Sequence, residues 1–289
     1  MRCLLLIIIA FGFSCNEPLS HYQSVVSSDF MEYWNDGNAE ITTYEVTQER
    51  YGAHRKGEQV SIFVTEPFSR LKQVKIDRYE CRNPNHQAVL KLNTIRRFKT
   101  GIYDYSVMQS VFSPLDASPA LKSTTTIQDW CGQVFAQCNR KAGGYQIQAY
   151  SYFEADGDWK SMVQAEFTED ALWSAIRINP DFRSSAVVMM LPSVAFLQLE
   201  HVTFEPQKAH IELVKDSLVS NLVLTYEQLP RRVVVQFETN FPHRILGWTE
   251  VYRGKLLSEG KIKKSRKSRY WEEHDISHAL FRDSLDLSF

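Results

Sequence analysis

From Ala39 onward the apolar positions recur at every second residue. The runs that carry this period are short, rich in Val, Ile, Thr, Phe and Tyr, and divided by turn residues. The pattern predicts strands over 39–48, 58–66, 71–79, 88–95, 102–112, 121–138, 145–154 and 159–167. It predicts further strands over 186–191, 194–204, 209–214, 222–227, 231–239 and 245–253. Asp156-Gly157 marks a tight hairpin, and Gly143-Gly144 another. Helical spacing occurs in three places. In 20–34, Val26, Phe30 and Tyr33 or Trp34 share a face, and Asp36-Gly37 stops the run. In 168–176, Thr168 reads as the N-cap, Glu169 and Asp170 suit the first turn, and Leu172, Trp173 and Ile176 form the apolar stripe. Asn179-Pro180 ends that helix. A third, short helix is expected near 276–285. The connections are too short for crossovers, so neighbouring strands pair antiparallel. The expected fold is therefore mainly β: an antiparallel curved sheet, a barrel or two packed sheets, with two or three short helices. No linker divides residues 22–289, and the helical stretch at 168–180 is the one seam the pattern offers.

The first residues follow another grammar. Arg2 precedes a charge-free apolar run from Cys3 to Phe13, and Gly12 and Ser14 flank a cut before Cys15. This predicts a signal peptide over 1–14. The run is too short for a bilayer span, which needs about 20 residues. Cys15 is the predicted lipidation site, palmitate-type acyl chains anchoring the chain to a membrane through the polar tether 15–21. Gly12 and Phe13 depart from the usual residues before such a cysteine. The expected address is the cell envelope, on the periplasmic side or at the cell surface.

Composition then bounds the partners. A formal net charge of −1 over 289 residues argues against a nucleic-acid partner. Once Cys3 and Cys15 are set aside, Cys81, Cys131 and Cys138 remain. On one strand, Cys131 and Cys138 would face opposite ways about 23 Å apart and would not pair. The reading favours no disulfide.

Three constellations invite chemistry. Asp129, Cys131 and Gln133 fall on one polar face of the predicted 121–138 strand, which makes a ligand-facing wall or, with an approaching base, a thiol nucleophile. Tyr103 and Tyr105, with Tyr150 and Tyr152, place aromatics at strand spacing where they would line a cavity. Lys261, Lys263, Lys264, Arg266, Lys267 and Arg269 form a basic stretch suited to anionic headgroups or to a solvated strand. His274 and His278 have helical metal spacing, but Asp275 replaces the general-base glutamate and reads better as a cap. No metal and no cofactor is expected. There is no nucleophile elbow, P-loop or dinucleotide fingerprint.

Several segments resemble a family of Bacteroidota-type lipoproteins. They include Tyr33-Trp34-Asn35-Asp36-Gly37, Thr65-Glu66-Pro67-Phe68-Ser69, Asp129-Trp130-Cys131-Gly132, Ser151-Tyr152-Phe153-Glu154 and Arg177-Ile178-Asn179-Pro180. Members often carry the label septum formation inhibitor Maf. True Maf proteins are α/β nucleotide pyrophosphatases with an S-P-R-R signature near the N-terminus, and nothing here matches it. The resemblance implies an exported lipoprotein and assigns no catalytic residue. The expected function is a non-enzymatic binding or assembly module for an apolar or lipid ligand or an envelope protein. The alternatives are an exported hydrolase using Cys131 or a carboxylate pair, and a structural protein lying on the membrane surface.

Overall fold

Alternating burial builds the sheet. In β13 (Val219–Tyr226), Ser220, Leu222, Leu224 and Tyr226 are buried. In β14 (Arg231–Glu238), Arg231, Val233, Val235 and Phe237 are buried and their neighbours face out. The computed structural model describes residues 26–78, 80, 82–116, 118–181 and 185–288. The first run of strands is β1 (Ala39–Arg50), β2 (Ala53–Ser69), β3 (Val74–Lys75), β4 (His86–Thr100), β5 (Tyr103–Pro114), β6 (Lys122–Gln128), β7 (Gln133–Lys141), β8 (Gly144–Ser151) and β9 (Trp159–Val163). The second run is β10 (Phe167–Thr168), β11 (Ala186–Leu191), β12 (Gln207–Val214), β13, β14, β15 (Ile245–Tyr252) and β16 (Lys255–Ser268).

All of these belong to one curved sheet of 16 strands. Its order is β10-β11-β12-β13-β14-β15-β16-β1-β2-β4-β5-β6-β7-β8-β9, with β3 a short flap on β2. Every pairing is antiparallel except β10 with β11. The chain therefore starts in the middle of the sheet: β1 pairs β2 on one side and β16 on the other. The two edges of the sheet, β9 and β10, are separated in sequence only by residues 164–166.

A wrap of this many strands encloses more space than strand side chains alone fill. Helices supply the rest. Phe30 and Trp34 of α1 (Ser28–Trp34) pack with Phe63, Leu90, Leu92 and Val111. Leu172 and Ile176 of α2 (Leu172–Ile178) pack with Tyr44, Val188, Leu224 and Val235. Phe196 and Leu197 of α3 (Val194–Leu199) pack with Ile147, Val163, Tyr252 and Leu257. Trp248 lies across Gly260 on the neighbouring strand. A Cβ there would sit 2.1 Å from the indole, so only glycine leaves the ring its place. Outside, the segment after α4 (Phe281–Ser284) straps β1 and β2. The Thr43 hydroxyl donates to the Leu285 carbonyl at 2.7 Å, and the Ser288 hydroxyl donates to Glu58 at 3.0 Å.

The mainly β, antiparallel expectation holds, but four segments differ in detail. Residues 121–138 form two strands, not one, with a turn at 129–132 between β6 and β7. Residues 194–204 begin with α3: Val194, Phe196, Leu197 and Leu199 are all buried, and a run buried on most sides has no period to read. Residues 71–79 contribute only the two residues of β3, and Leu71 is exposed. Five of the six cations of the basic stretch lie on β16, whose alternation they conceal, and Arg269 follows it. Residues 1–25 and Cys81 lie outside the described residues, and so does the lipidation expected at Cys15.

Candidate functional site

The centre of the wrap is polar. Glu169 and Asp170, just ahead of α2, are buried there. Arg231 donates to Glu169 at 2.5 and 3.1 Å and to Glu250 at 2.8 Å, and the Tyr226 hydroxyl donates to Glu169 at 2.7 Å. Arg96 reaches Gln48, Gln59 and Ser258 at 2.8–3.2 Å and lies 3.7 Å from Glu250. Burial works against the charge on Glu250, but the Arg231 and Arg96 guanidiniums prevail and hold its carboxyl below the usual range. Burial likewise works against Arg231, and Glu169 and Glu250 hold it above its ordinary value. Asp170 is different. Burial, with the Glu169 charge adding to it against the Ser193 hydroxyl, pushes its carboxyl up to about 7. Its Oδ2 accepts the Val194 N–H at 3.3 Å, and its Oδ1 has no partner among the described residues. A second buried pair lies nearer α1. Arg177 meets Glu40 through two bonds of 2.5 and 2.7 Å, and both side chains are 1% exposed.

A raised carboxyl beside a second carboxylate is an acid–base signature. The space beside it is small. The gap among Gln48, Arg96, Gln109, Asp170 and Glu250 holds about 60 Å³. That is room for a few waters, whereas ligand pockets run to several hundred Å³.

The open space lies at the seam. The bridge between β9 and β10 is held by Arg140, which donates to the Ala165 carbonyl at 2.9 Å, and by the Glu166 N–H on the Met189 carbonyl at 2.7 Å. Beside the rest of β9 the sheet does not continue, and α3 with the segment up to Pro206 stands opposite. Between them is a groove of about 650 Å³. Its apolar lining comes from Ala149, Trp159, Val163, Leu197, Val202 and Phe204. The Trp159 and Phe204 rings meet edge to face at 5.0 Å. Polar groups enter the lining from Gln198, Glu205 and the His201–Asp156 pair, 3.5 Å apart. Among the described residues, β9 pairs only with β8, so its other edge opens on the groove.

The residues expected at a ligand wall are divided among different surroundings. Tyr105 turns inward, stacks on Phe98 at 4.9 Å and shares a 2.6 Å hydrogen bond with the Tyr51 hydroxyl. Asp129 and Cys131 occupy the β6–β7 turn, not a strand face. Asp129 Oδ1 accepts the Cys131 N–H at 2.6 Å and the Gly132 N–H at 3.2 Å. Cys131 is exposed and free, and among the described residues no hydrogen bond joins its thiol to a base. Cys138, also free, is buried on β7, and burial pushes its thiol up to about 12. Tyr105, Asp129 and Gln133 line an outer cleft of about 630 Å³, which Tyr103 approaches through Trp130, ring centroids 6.3 Å apart. Four of the six cations of the basic stretch meet carboxylates: Lys263 with Glu58 and Asp286, Arg266 with Glu273, Lys267 with Asp36, and Arg269 with Glu272. Lys261 and Lys264 face solvent. His274 bonds the Trp271 carbonyl, and His278 stacks on Phe281 and shares a capping box with Asp275. No cluster of three or more metal-ligating residues occurs among the described residues.

The seam groove went unread in the sequence because half its wall is the segment taken for a strand at 194–204. Pro192-Ser193 ahead of Val194 and Pro206 after it were the available signals.

No protein-family model matches the chain, and no curated protein matches it. Among solved structures it is similar to the beta-barrel-like protein of Domain of Unknown Function DUF1849 from Brucella abortus, at 10% identity and a TM-score of 0.51. The similarity covers 80% of this chain and 98% of that one. At this identity the likeness is one of fold: a curved, barrel-like wrap of antiparallel strands.

Proposed function

We propose that this chain is a lipid-anchored, non-catalytic binding module of the cell envelope, and that its seam groove receives an elongated apolar ligand such as an acyl chain. The groove carries the reading: its volume of about 650 Å³ falls in the range of ligand pockets, and its walls are mainly aliphatic and aromatic. Its polar groups suit a ligand with one polar end. The signal-peptide grammar around Cys15 and the lipoprotein resemblance support the address. The tightness of the charged centre argues against catalysis there. The test uses a fluorescent fatty-acid analogue and the detergent-extracted full chain. Saturable binding is expected, and Met162→Arg, at a half-exposed position on the groove wall, should abolish it. Absence of saturable binding, or binding unaffected by Met162→Arg, would overturn the reading.

One observation favours a second occupant. The bare edge of β9 offers backbone donors and acceptors to an extended segment of a partner protein. In that case backbone amides of β9 would gain hydrogen-exchange protection with a partner peptide, and a fatty acid would not supply it.

A further inference from the structure

We infer that the outer cleft beneath Trp130 is a binding site for a neutral carbohydrate, separate from the seam groove. Four outward side chains form one row across four strands. Arg97 of β4 pairs with Ser106 of β5, Ser106 with Gln128 of β6, and Gln128 with Gln133 of β7. At about 4.8 Å per strand the row is about 14 Å long. A guanidinium, a hydroxyl and two carboxamides thus stand at regular spacing, offering donors and acceptors together. None of the four side chains forms a hydrogen bond to another described residue, so the row's capacity is unspent on the fold.

Trp130 lines the same cleft, in the turn between Gln128 and Gln133, and is 71% exposed. Its turn is well fixed. Asp129 caps it through two N–H groups, and Gly132 lies flat on Tyr152, where a Cβ would sit 2.6 Å from the ring. An indole held in water at the lip of a polar row is an amphipathic surface: an apolar ring face beside many hydrogen-bonding groups. A sugar ring has the complementary make-up, with a C–H face on one side and hydroxyls, each donor and acceptor, around its edge.

Charge separates this ligand from its rivals. Arg97 is the one cation lining the cleft, against Asp104 and Asp129. A phosphate-rich polymer would meet a surplus of carboxylates, where nucleic-acid sites are basic. An anionic bilayer would meet the same repulsion.

The experiment follows tryptophan emission of the full chain titrated with chitotetraose, cellotetraose and maltotetraose, with anionic phospholipid vesicles and polyphosphate as controls. At least one tetrasaccharide should bind saturably. Trp130→Ala should weaken it by about tenfold or more, read by calorimetry, with the melting temperature unchanged. Gln133→Ala, at an exposed position, guards against a folding effect and should weaken the same sugar. Binding of none of the three sugars, sugar binding insensitive to Gln133→Ala, or Trp130-dependent binding of vesicles or polyphosphate would overturn the assignment.

Discussion

The centre of the wrap and its seam both mix polar and apolar groups, and they differ in how tightly the space between those groups is filled. At the centre, strands surround the space on nearly all sides, and the inward positions include Gln48, Gln59, Arg96, Arg231 and Glu250. At the seam, where the sheet ends, Val134, Ala149 and Val163 line the open space instead. The cause is the filling. A 16-stranded wrap is too wide for its own side chains, so α2 enters the interior and brings Glu169, Asp170 and Arg177 with it. Buried charges need partners, and the strands provide them. The seam has no such guest, so it keeps free volume, with Gln198, His201 and Glu205 set among its apolar walls. Rigidity and receptivity are thereby assigned to different parts of one sheet.

The sharpest test of this contrast removes a partner at the centre. Arg231→Met leaves Glu169 and Glu250 without their shared cation and should lower the unfolding free energy by ~3–5 kcal/mol in urea denaturation. A loss under ~1 kcal/mol would mean the network is not structural.

Asp170 gives the centre a pH dependence of known sign. Its carboxyl is raised from 3.8 to about 7, so the folded state holds a proton that the unfolded state has lost. The contribution is fully present below 3.8 and is lost as pH rises through about 7. The charged and titratable groups facing it are Glu169, Cys138 and Tyr226. Asp170→Asn should remove this slope, worth up to ~4 kcal/mol, between those limits. Unchanged slopes in paired melts would reject it.

Gly260→Ala probes packing alone. The new methyl collides with Trp248 and should cost ~1–3 kcal/mol without altering the pH profile. Met162→Arg, at the seam, should stay within ~0.5 kcal/mol of the parent in the same melts while it blocks the apolar probe. A large destabilisation would show that the seam is core and not a site. The smallest effect belongs to the thiols. Peptide-mapped alkylation should modify Cys131 in the folded chain and Cys138 only in denaturant, and Cys131→Ser should leave stability within ~0.5 kcal/mol. Equal labelling of the two in the folded state would contradict their placement.

Much of the architecture was legible from period-two alternation and turn residues, because one-sided burial imprints both on a chain. β12, β13 and β14 fall close to the predicted spans. Legibility failed where burial is not one-sided. Val194–Leu199 is apolar nearly throughout and reads equally as strand or helix. The Asp129–Gly132 turn was hidden because Asp129 caps it with its side chain, a bond that leaves no periodic trace. The wall expected there survives only in Tyr105, Asp129 and Gln133, which line the outer cleft. The seam itself depends on strand 159–163 and the segment 197–206 lying on opposite sides of a gap, a relation that no local pattern encodes.

The pairing of β1 with β16 has a consequence for how the chain comes into being. Ala39 lies opposite Ser268, so the sheet's central joint unites segments far apart in the chain. Strands β1 to β9 can assemble as neighbours before the remainder joins, yet one hydrogen-bonding edge of β1 stays bare until β16 pairs with it. A bare strand edge is a template for the wrong partner. The strand that must find it carries Lys261, Lys263, Lys264, Arg266 and Lys267, whose mutual repulsion keeps free copies of β16 from pairing with one another. Of the carboxylates that pair with three of them, Asp36 and Glu58 lie on the β1–β2 side, and Glu273 and Asp286 follow β16 in the chain. Lys267, and Lys263 in part, thus gain their carboxylate partners only when β16 lies beside β1 and β2.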